Sequence, residues 1–196
     1  MDEDFLKTIL VEFIEVLIHQ IIKLKRIYPD GIYGKRRKYN LAVFMSEHPS
    51  VNEFIKEITE GINNQLSDPE ADIEGVVLVI TRGNKTDQKF RLAFPGFKSL
   101  MDPDQDQDSD SDSDPEVDTE ADLMESLELN FASVLLRLAE VLKDQREAGE
   151  EDGEKRKWWV QVESAFPGQT DRGGVLFPVF DFEEPFSFQL DMETYR

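Results

Sequence analysis

Apolar residues recur at three- and four-residue steps in three stretches of the chain, and this spacing predicts three amphipathic helices. The helices are expected over Phe5–Ile27, Ser50–Leu66 and Leu123–Arg146. The apolar stripe of the first is so wide that it predicts a central helix with neighbours on most sides. Pro29 and Gly31 are expected to end this helix, because proline cannot continue a helix and glycine accepts the positive φ of a turn.

Shorter apolar runs between the helices predict strands. Val76–Thr81 is a β-branched run that predicts a buried strand, and Lys89–Phe94 alternates apolar and polar residues. Arg82–Asp87 has turn residues, so these two runs predict a hairpin with one buried face. Leu41–Met45 and Trp158–Val162 predict two further short strands. This mixture of helices and hairpin-linked strands predicts an α+β domain.

The C-terminal stretch is rich in aromatic residues and is interrupted by proline. Pro178 and Pro185 disfavour a central strand, because proline cannot donate to the ladder, so edge strands are expected here. The phenylalanines of this stretch are Phe177, Phe180, Phe182, Phe186 and Phe188. An apolar tail of this kind is expected to wrap the core or to cover a partner.

Negative charge is concentrated in one segment. The net charge is −20, and Asp102–Asp122 carries eleven acidic residues and no basic one. This segment has almost no apolar residue to offset the entropy of ordering, so we predict a disordered acidic insert. Ser109, Ser111 and Ser113 each precede Asp and suit an acid-directed kinase. A solvated loop is the simplest interpretation, and a chaperone for basic proteins is the functional alternative.

A basic run of four residues stands between two tyrosines. It consists of Lys35, Arg36, Arg37 and Lys38. Three interpretations are open: a solvated turn, a nuclear import signal, or a phosphate contact. Strong direct nucleic-acid binding is not expected, because one short run in an acidic chain gives a small counterion-release term.

Catalytic chemistry has few candidates. The chain has no cysteine and two histidines, and His19 lies inside the apolar first helix, where a structural role is expected. No nucleophile elbow, phosphate-binding loop, dinucleotide fingerprint or zinc-protease motif occurs. We therefore predict a protein that is not an enzyme and has no metal or cofactor. The acidic start of the chain does not predict a signal peptide, and no apolar run predicts a membrane span.

One long stretch carries a family resemblance. The sequence VLIHQIIKLKRIYPDGIYGKRRKYNLAVFMSEHPSVNEFIKEI resembles the HORMA domain, and within that family the Mad2-like accessory subunits of DNA polymerase zeta. The resemblance runs from about Val11 to Leu66. It implies one HORMA domain over residues 1–196, with three helices on a mixed, mainly antiparallel sheet. It also implies a C-terminal safety belt, residues 165–196, that traps a short partner peptide paired with a sheet edge.

The family's binding residues carry over position by position. The resemblance implies that Tyr28 and Phe54 line the peptide site, although the family commonly has tyrosine at the second position. The tryptophan that pins the peptide in relatives has no clear counterpart in the tail, and Trp159 is the candidate on the strand before it. VLFPV resembles the family's belt strand and places Leu176 and Pro178 there. FQLDME resembles the family's last strand and places Gln189 there.

The implied partners follow from the same resemblance. They are a proline-containing peptide of the polymerase zeta catalytic subunit and, through Leu176 and Gln189, the scaffold polymerase of translesion synthesis. Other HORMA proteins are a further class of partner, although Ala132 stands where relatives carry an arginine used in dimerisation. The expected function is a nuclear, non-catalytic adaptor in translesion DNA synthesis. A spindle-checkpoint or meiotic HORMA adaptor is the alternative within the family.

Overall fold

The computed structural model describes residues 3–68, 71, 73–94, 120–144, 156–164 and 189–194. The helices are α1 (Glu3–Leu24), α2 (Pro49–Leu66) and α3 (Glu120–Asp144). The strands are β1 (Tyr33–Lys38), β2 (Leu41–Ser46), β3 (Ile73–Arg82), β4 (Lys85–Ala93), β5 (Arg156–Ser164) and β6 (Gln189–Thr194). A short 3₁₀ turn, Asp30–Ile32, precedes β1. The predicted α+β class is confirmed.

Helix α1 is the central element, as its wide apolar stripe predicts. It contacts α2, α3 and β2. Phe13, Val16 and Ile22 have no exposed surface, and they belong to one core cluster with α2, α3 and the inner face of the sheet. Phe13 stacks on Phe131 of α3 with ring centroids 4.0 Å apart.

Helix α1 ends at Leu24, before the proline and glycine that the sequence analysis identified as its stop. Arg26 takes a left-handed backbone conformation with φ 50°. Its N–H donates to the carbonyl of Lys23 at 3.0 Å, and the N–H of Ile27 donates to the carbonyl of Ile22 at 3.0 Å. This double hydrogen bond satisfies the last carbonyls of the helix in a Schellman arrangement. The chain then turns so that Tyr28 packs against the core.

The main sheet has four strands in the order β5-β3-β4-β6. Every pairing among the described strands is antiparallel, including the predicted hairpin of β3 and β4. Val76, Leu78 and Ile80 of β3 face the helices and lie in the core cluster. The described β5 and β6 therefore lie at opposite edges of the sheet.

The basic run lies on a strand and not in a turn. Strand β1 pairs with β2, and their two-residue turn is Tyr39–Asn40, with φ 50° and 56°. Such a turn matches the twist of a hairpin, and asparagine tolerates the left-handed conformation. The Tyr39 ring closes this end of the hairpin against Phe13 and Phe131, with centroids 5.9 and 5.2 Å away.

The structure describes the predicted acidic insert, the strand after it and the predicted belt to different extents. Helix α3 begins at Glu120, so the last residues of the predicted acidic insert are helical, and residues 102–119 lie outside the described part. Strand β5 begins at Arg156, two residues before the predicted start at Trp158, because Arg156 and Lys157 pair with the end of β3. Of the predicted belt, residues 165–188 lie outside the described residues.

Candidate functional site

Trp158 joins two of the predicted peptide-site residues. Its indole Nε1 donates a hydrogen bond to the hydroxyl of Tyr28 at 3.1 Å. Its ring meets the edge of Phe54, with centroids 5.0 Å apart and planes at 68°. Tyr28 follows the capped end of α1, Phe54 lies on α2 and Trp158 lies on β5. Three separate elements thus build one aromatic cluster, which we call the Tyr28–Trp158–Phe54 cluster.

The cluster combines a buried anchor with an exposed face. Trp158 is 7% exposed, whereas Phe54 is 39% exposed. A phenylalanine ring left this open beside a buried indole is an apolar surface that a partner can cover. The hydrogen bond to Tyr28 satisfies the indole N–H, which a buried tryptophan requires.

The cluster lies at the edge of the sheet. Strand β5 pairs with β3 on one side, and no described strand pairs with its other side. An edge strand presents backbone N–H and C=O groups that can accept an added strand. The opposite edge strand is β6, which pairs with β4 from Gln88–Thr194 to Ala93–Gln189. Of the two edge strands of this sheet, β5 is the one that carries Trp158 and therefore lies beside the Tyr28–Trp158–Phe54 cluster.

Trp159 lies on the other face of the sheet. It pairs with Val79, whereas Trp158 pairs with the core residue Ile80. Trp159 is 38% exposed. The hydrogen bond to Tyr28 and the ring contact with Phe54 are both made by Trp158. The sequence analysis named Trp159 as the candidate, whereas Trp158 is the residue that contacts both Tyr28 and Phe54. The signal was present, because Trp158, Val160 and Val162 alternate as one apolar face, and all three pack in or against the core.

One further predicted partner-binding residue, Gln189, is placed apart from the cluster. Gln189 is the first residue of β6 and pairs with Ala93, so it lies at the edge of the sheet opposite β5. Leu176 and Pro178 lie outside the described residues. The structure therefore brings Tyr28 and Phe54 together through Trp158 and places Gln189 on the opposite edge strand.

The basic run is largely engaged by its neighbours. Arg36 forms an ion pair with Glu47 at 3.0 Å, and Lys38 forms one with Glu12. Arg37 donates to the side-chain oxygen of Asn40 at 3.0 Å. Lys35 lies over the ring of Phe44, with its Nζ 5.8 Å from the centroid. These contacts hold the four side chains on a paired strand and reduce the positive potential that the sequence indicates.

His19 has the structural role that the sequence indicates. It is 2% exposed, and its Nδ1 accepts a hydrogen bond from the backbone N–H of Ser46 at 3.2 Å. Burial lowers its pKa to about 4, so the imidazole is neutral at neutral pH. Across the described ranges, no group of three or more potential metal ligands is present. None of the described helices has the length and apolarity to cross a membrane.

The sequence matches the model of a known family. The profile of the HORMA domain matches residues 7–134. This match covers more than half of the chain, so the protein belongs to the HORMA domain family. The resemblance that the sequence carries from Val11 to Leu66 is thereby confirmed at the level of the family.

Two kinds of named relative are similar to part of the chain. The mitotic spindle assembly checkpoint protein MAD2B of Homo sapiens is 42% identical over 72 residues, which cover 37% of this chain and 33% of that protein. The DNA polymerase zeta processivity subunit of Schizosaccharomyces pombe is 40% identical over 55 residues, 28% of this chain and 26% of that protein. The matched stretch thus spans about a third of these relatives or less.

Solved structures confirm the HORMA fold over nearly the whole chain. A chain in the crystal structure of the mitotic checkpoint complex superposes with a TM-score of 0.67 at 13% identity, covering 98% of this chain and 95% of that chain. HTP-2 of C. elegans bound to HTP-3 closure motif 1 gives a TM-score of 0.60 at 9% identity, covering 97% and 86%. At such low identity these likenesses show the fold alone.

Proposed function

We propose that this protein is a non-catalytic adaptor that captures a short peptide of a partner as an added strand on β5. The observation that carries the proposal is the position of the Tyr28–Trp158–Phe54 cluster beside the edge of β5 that no described strand pairs. The added strand would extend the sheet order to peptide-β5-β3-β4-β6. Backbone hydrogen bonds would supply affinity, and the exposed Phe54 ring would supply side-chain preference.

The client we propose is a proline-containing peptide of the catalytic subunit of DNA polymerase zeta. Proline fits the site chemically, because its ring packs on aromatic side chains and it loses little conformational entropy on binding. The similarity to named polymerase zeta subunits supports this choice. Residues 165–196 would close over the peptide as a safety belt.

The wider role we propose is to link polymerase zeta to other factors of translesion synthesis and repair in the nucleus. Gln189, at the edge of the sheet opposite β5, would be part of the surface for the scaffold translesion polymerase, together with Leu176. The two partners could then bind at once, because the two edges of the sheet are separate. The same arrangement needs no cofactor and no membrane.

Calorimetric titration tests the proposal. The full chain is titrated with the proline-containing peptide from the same organism's polymerase zeta catalytic subunit, and with a peptide of the same composition in scrambled order. Saturable binding of the native peptide that the scrambled peptide does not reproduce is expected. Absence of binding to the native peptide would refute this client.

The same experiment separates the alternatives. The similarity to MAD2B favours one second candidate, an adaptor of the spindle checkpoint, for which checkpoint-partner peptides would bind in place of the polymerase peptide. A chaperone for basic proteins based on residues 102–122 would lose its client when that segment is deleted. A peptide captured at β5 would still bind to the deleted chain.

A further inference from the structure

Helix α2 carries a glycine in its interior that costs stability. Gly61 lies within the helix Pro49–Leu66 and is exposed. A glycine at such a position lowers the folding equilibrium constant up to about fivefold relative to alanine, because glycine has more backbone freedom to lose. A Cβ added to Gly61 would meet no described atom within 4 Å beyond its own stretch of helix. Packing among the described residues therefore leaves room for a side chain at this position.

Gly75 of β3 illustrates the opposite case, a glycine that the fold requires. A Cβ added there would come within 2.5 Å of the carbonyl oxygen of Leu92 and 3.2 Å of the Cα of Ala93, both on β4. Backbone atoms of a paired strand cannot move aside cheaply, so the sheet excludes a side chain at Gly75. The space at Gly61 is instead open, and the benefit of a glycine there is to be found in something that approaches α2 from outside.

Gly61 lies on the same side of α2 as Phe54. The two positions are seven residues apart, close to two full helical turns, and Ile58 lies between them at the four-residue step. We call Phe54, Ile58 and Gly61 the α2 flank. Phe54 is exposed, and Ile58 is partly buried and packs against the core. The flank thus has an aromatic ring at one end and a gap at the other, about 10 Å further along the helix.

The α2 flank borders the edge strand β5. The ring of Phe54 meets that of Trp158 with centroids 5.0 Å apart, and β5 is the outermost strand on that side of the described sheet. A strand added to β5 would lie about 4.8 Å further out, and every second side chain of it would point toward the layer of helices. These inward side chains would approach the α2 flank, where Gly61 leaves the space that a bulky side chain needs.

We propose that Gly61 is a specificity-determining residue of the peptide site and that its open space receives one large apolar side chain of the captured peptide. This inference rests on the peptide capture proposed above and adds a side-chain preference to it. An apolar occupant fits, because the flank offers the Phe54 ring, the Ile58 side chain and helix backbone whose polar groups are bonded within α2. Glycine lets that backbone be approached more closely than any other residue does. The close contact in the complex would offset the stability that α2 loses in the free protein.

The test is a size series at this position in the full chain, titrated calorimetrically with the proline-containing peptide of the polymerase zeta catalytic subunit. Gly61→Ala should raise the melting temperature by about 1–4 °C, because alanine has the higher helix propensity. Gly61→Leu should also melt no lower than the native chain, yet bind the peptide about tenfold more weakly, because its side chain fills the space. The matched control is Asn63→Leu, which adds bulk at an exposed position on nearly the opposite side of α2 and should change affinity less than about twofold.

An alanine scan of the peptide identifies the side chain that occupies the space. At one apolar position the alanine peptide should bind Gly61→Leu about as tightly as it binds the native chain, because the smaller side chain no longer needs the space. An equal loss at every peptide position would show that no peptide side chain lies at Gly61 and would overturn the proposal.

Three further outcomes would also overturn it. They are a lower melting temperature of Gly61→Ala, unchanged peptide affinity of Gly61→Leu, and equal weakening by Asn63→Leu. The proposed function has a separate failure, which is absence of peptide binding to the native chain, and the role of Gly61 would fail with it. Tight binding to the native chain and to Gly61→Leu alike would refute the role of Gly61 and leave peptide capture standing.

Discussion

Replacing Phe54 by alanine tests the proposed peptide site most directly. Phe54 is 39% exposed, and an aromatic side chain of about 200 Å² therefore leaves roughly 80 Å² for a partner to cover. At about 25 cal/mol per Å² this area contributes about 2 kcal/mol to binding. Phe54→Ala should then raise the dissociation constant of the captured peptide about 30-fold.

The same substitution has a smaller effect on folding than the loss of a fully buried ring. Full truncation of a buried phenylalanine costs about 3–5 kcal/mol. Phe54 loses its edge-to-face contact with Trp158 and the covered part of its surface, so we expect about 1–3 kcal/mol in the free energy of unfolding. The protein remains folded, and binding can be measured on it.

The assay combines calorimetric titration of the peptide with urea unfolding followed by circular dichroism. Phe5→Ala is the matched control, because Phe5 is 40% exposed, almost the same as Phe54. Phe5 lies near the start of α1, whereas the cluster is built at the end of α1, on α2 and on β5. This control should leave peptide affinity unchanged. The reasoning is refuted if Phe54→Ala binds as tightly as the native chain, or if Phe5→Ala weakens binding as much.

Three further predictions concern the stability of the fold. Tyr28→Phe and Trp158→Phe, alone and combined, should show a coupling free energy of about 0.5–1.5 kcal/mol in a urea double-mutant cycle, because they share one hydrogen bond; purely additive effects would contradict that bond. Burial lowers the pKa of His19 from 6.5 to about 4, so the stability that depends on its neutral imidazole is complete above pH 6.5 and is lost as the pH falls toward 4. His19→Gln should remove this part of the pH dependence of unfolding, and an unchanged difference between pH 6.5 and pH 4 would contradict the role of the imidazole. Lys85→Glu should raise the unfolding free energy by about 0.2–1 kcal/mol, because it places an opposite charge across from Arg82; a lower melting temperature would argue against repulsion in the free protein.

The elements with a clear hydrophobic period could be predicted from the sequence. The wide stripe of α1 and the alternation of Phe90, Leu92 and Phe94 both reflect burial against one core, and these residues are buried as expected. Strand β1 was missed because its four consecutive cations have no alternation. Its pairing is set instead by the turn at Tyr39–Asn40, where two non-glycine residues take positive φ.

The site was only partly accessible to sequence reasoning, for a related reason. Family resemblance supplied Tyr28 and Phe54, but their common contact, Trp158, comes from a strand 130 residues after Tyr28 along the chain. Choosing between two adjacent tryptophans requires knowing which face of β5 meets the helices, and the pairing of Trp158 with Ile80 decides it.

The placement of β6 has a consequence for how long a captured peptide would stay bound. Strand β5 ends at Ser164, which pairs with Ile73, and β6 begins at Gln189, which pairs with Ala93 beside Gly75, so both points lie at the same end of the sheet. They are separated by three strand spacings, about 14 Å. The intervening residues 165–188 have a contour length of about 80 Å. That excess is enough to pass around another polypeptide and return to β4. A peptide encircled in this way leaves when β6 separates from β4, so its residence time would depend on the β4–β6 ladder more than on its own contacts.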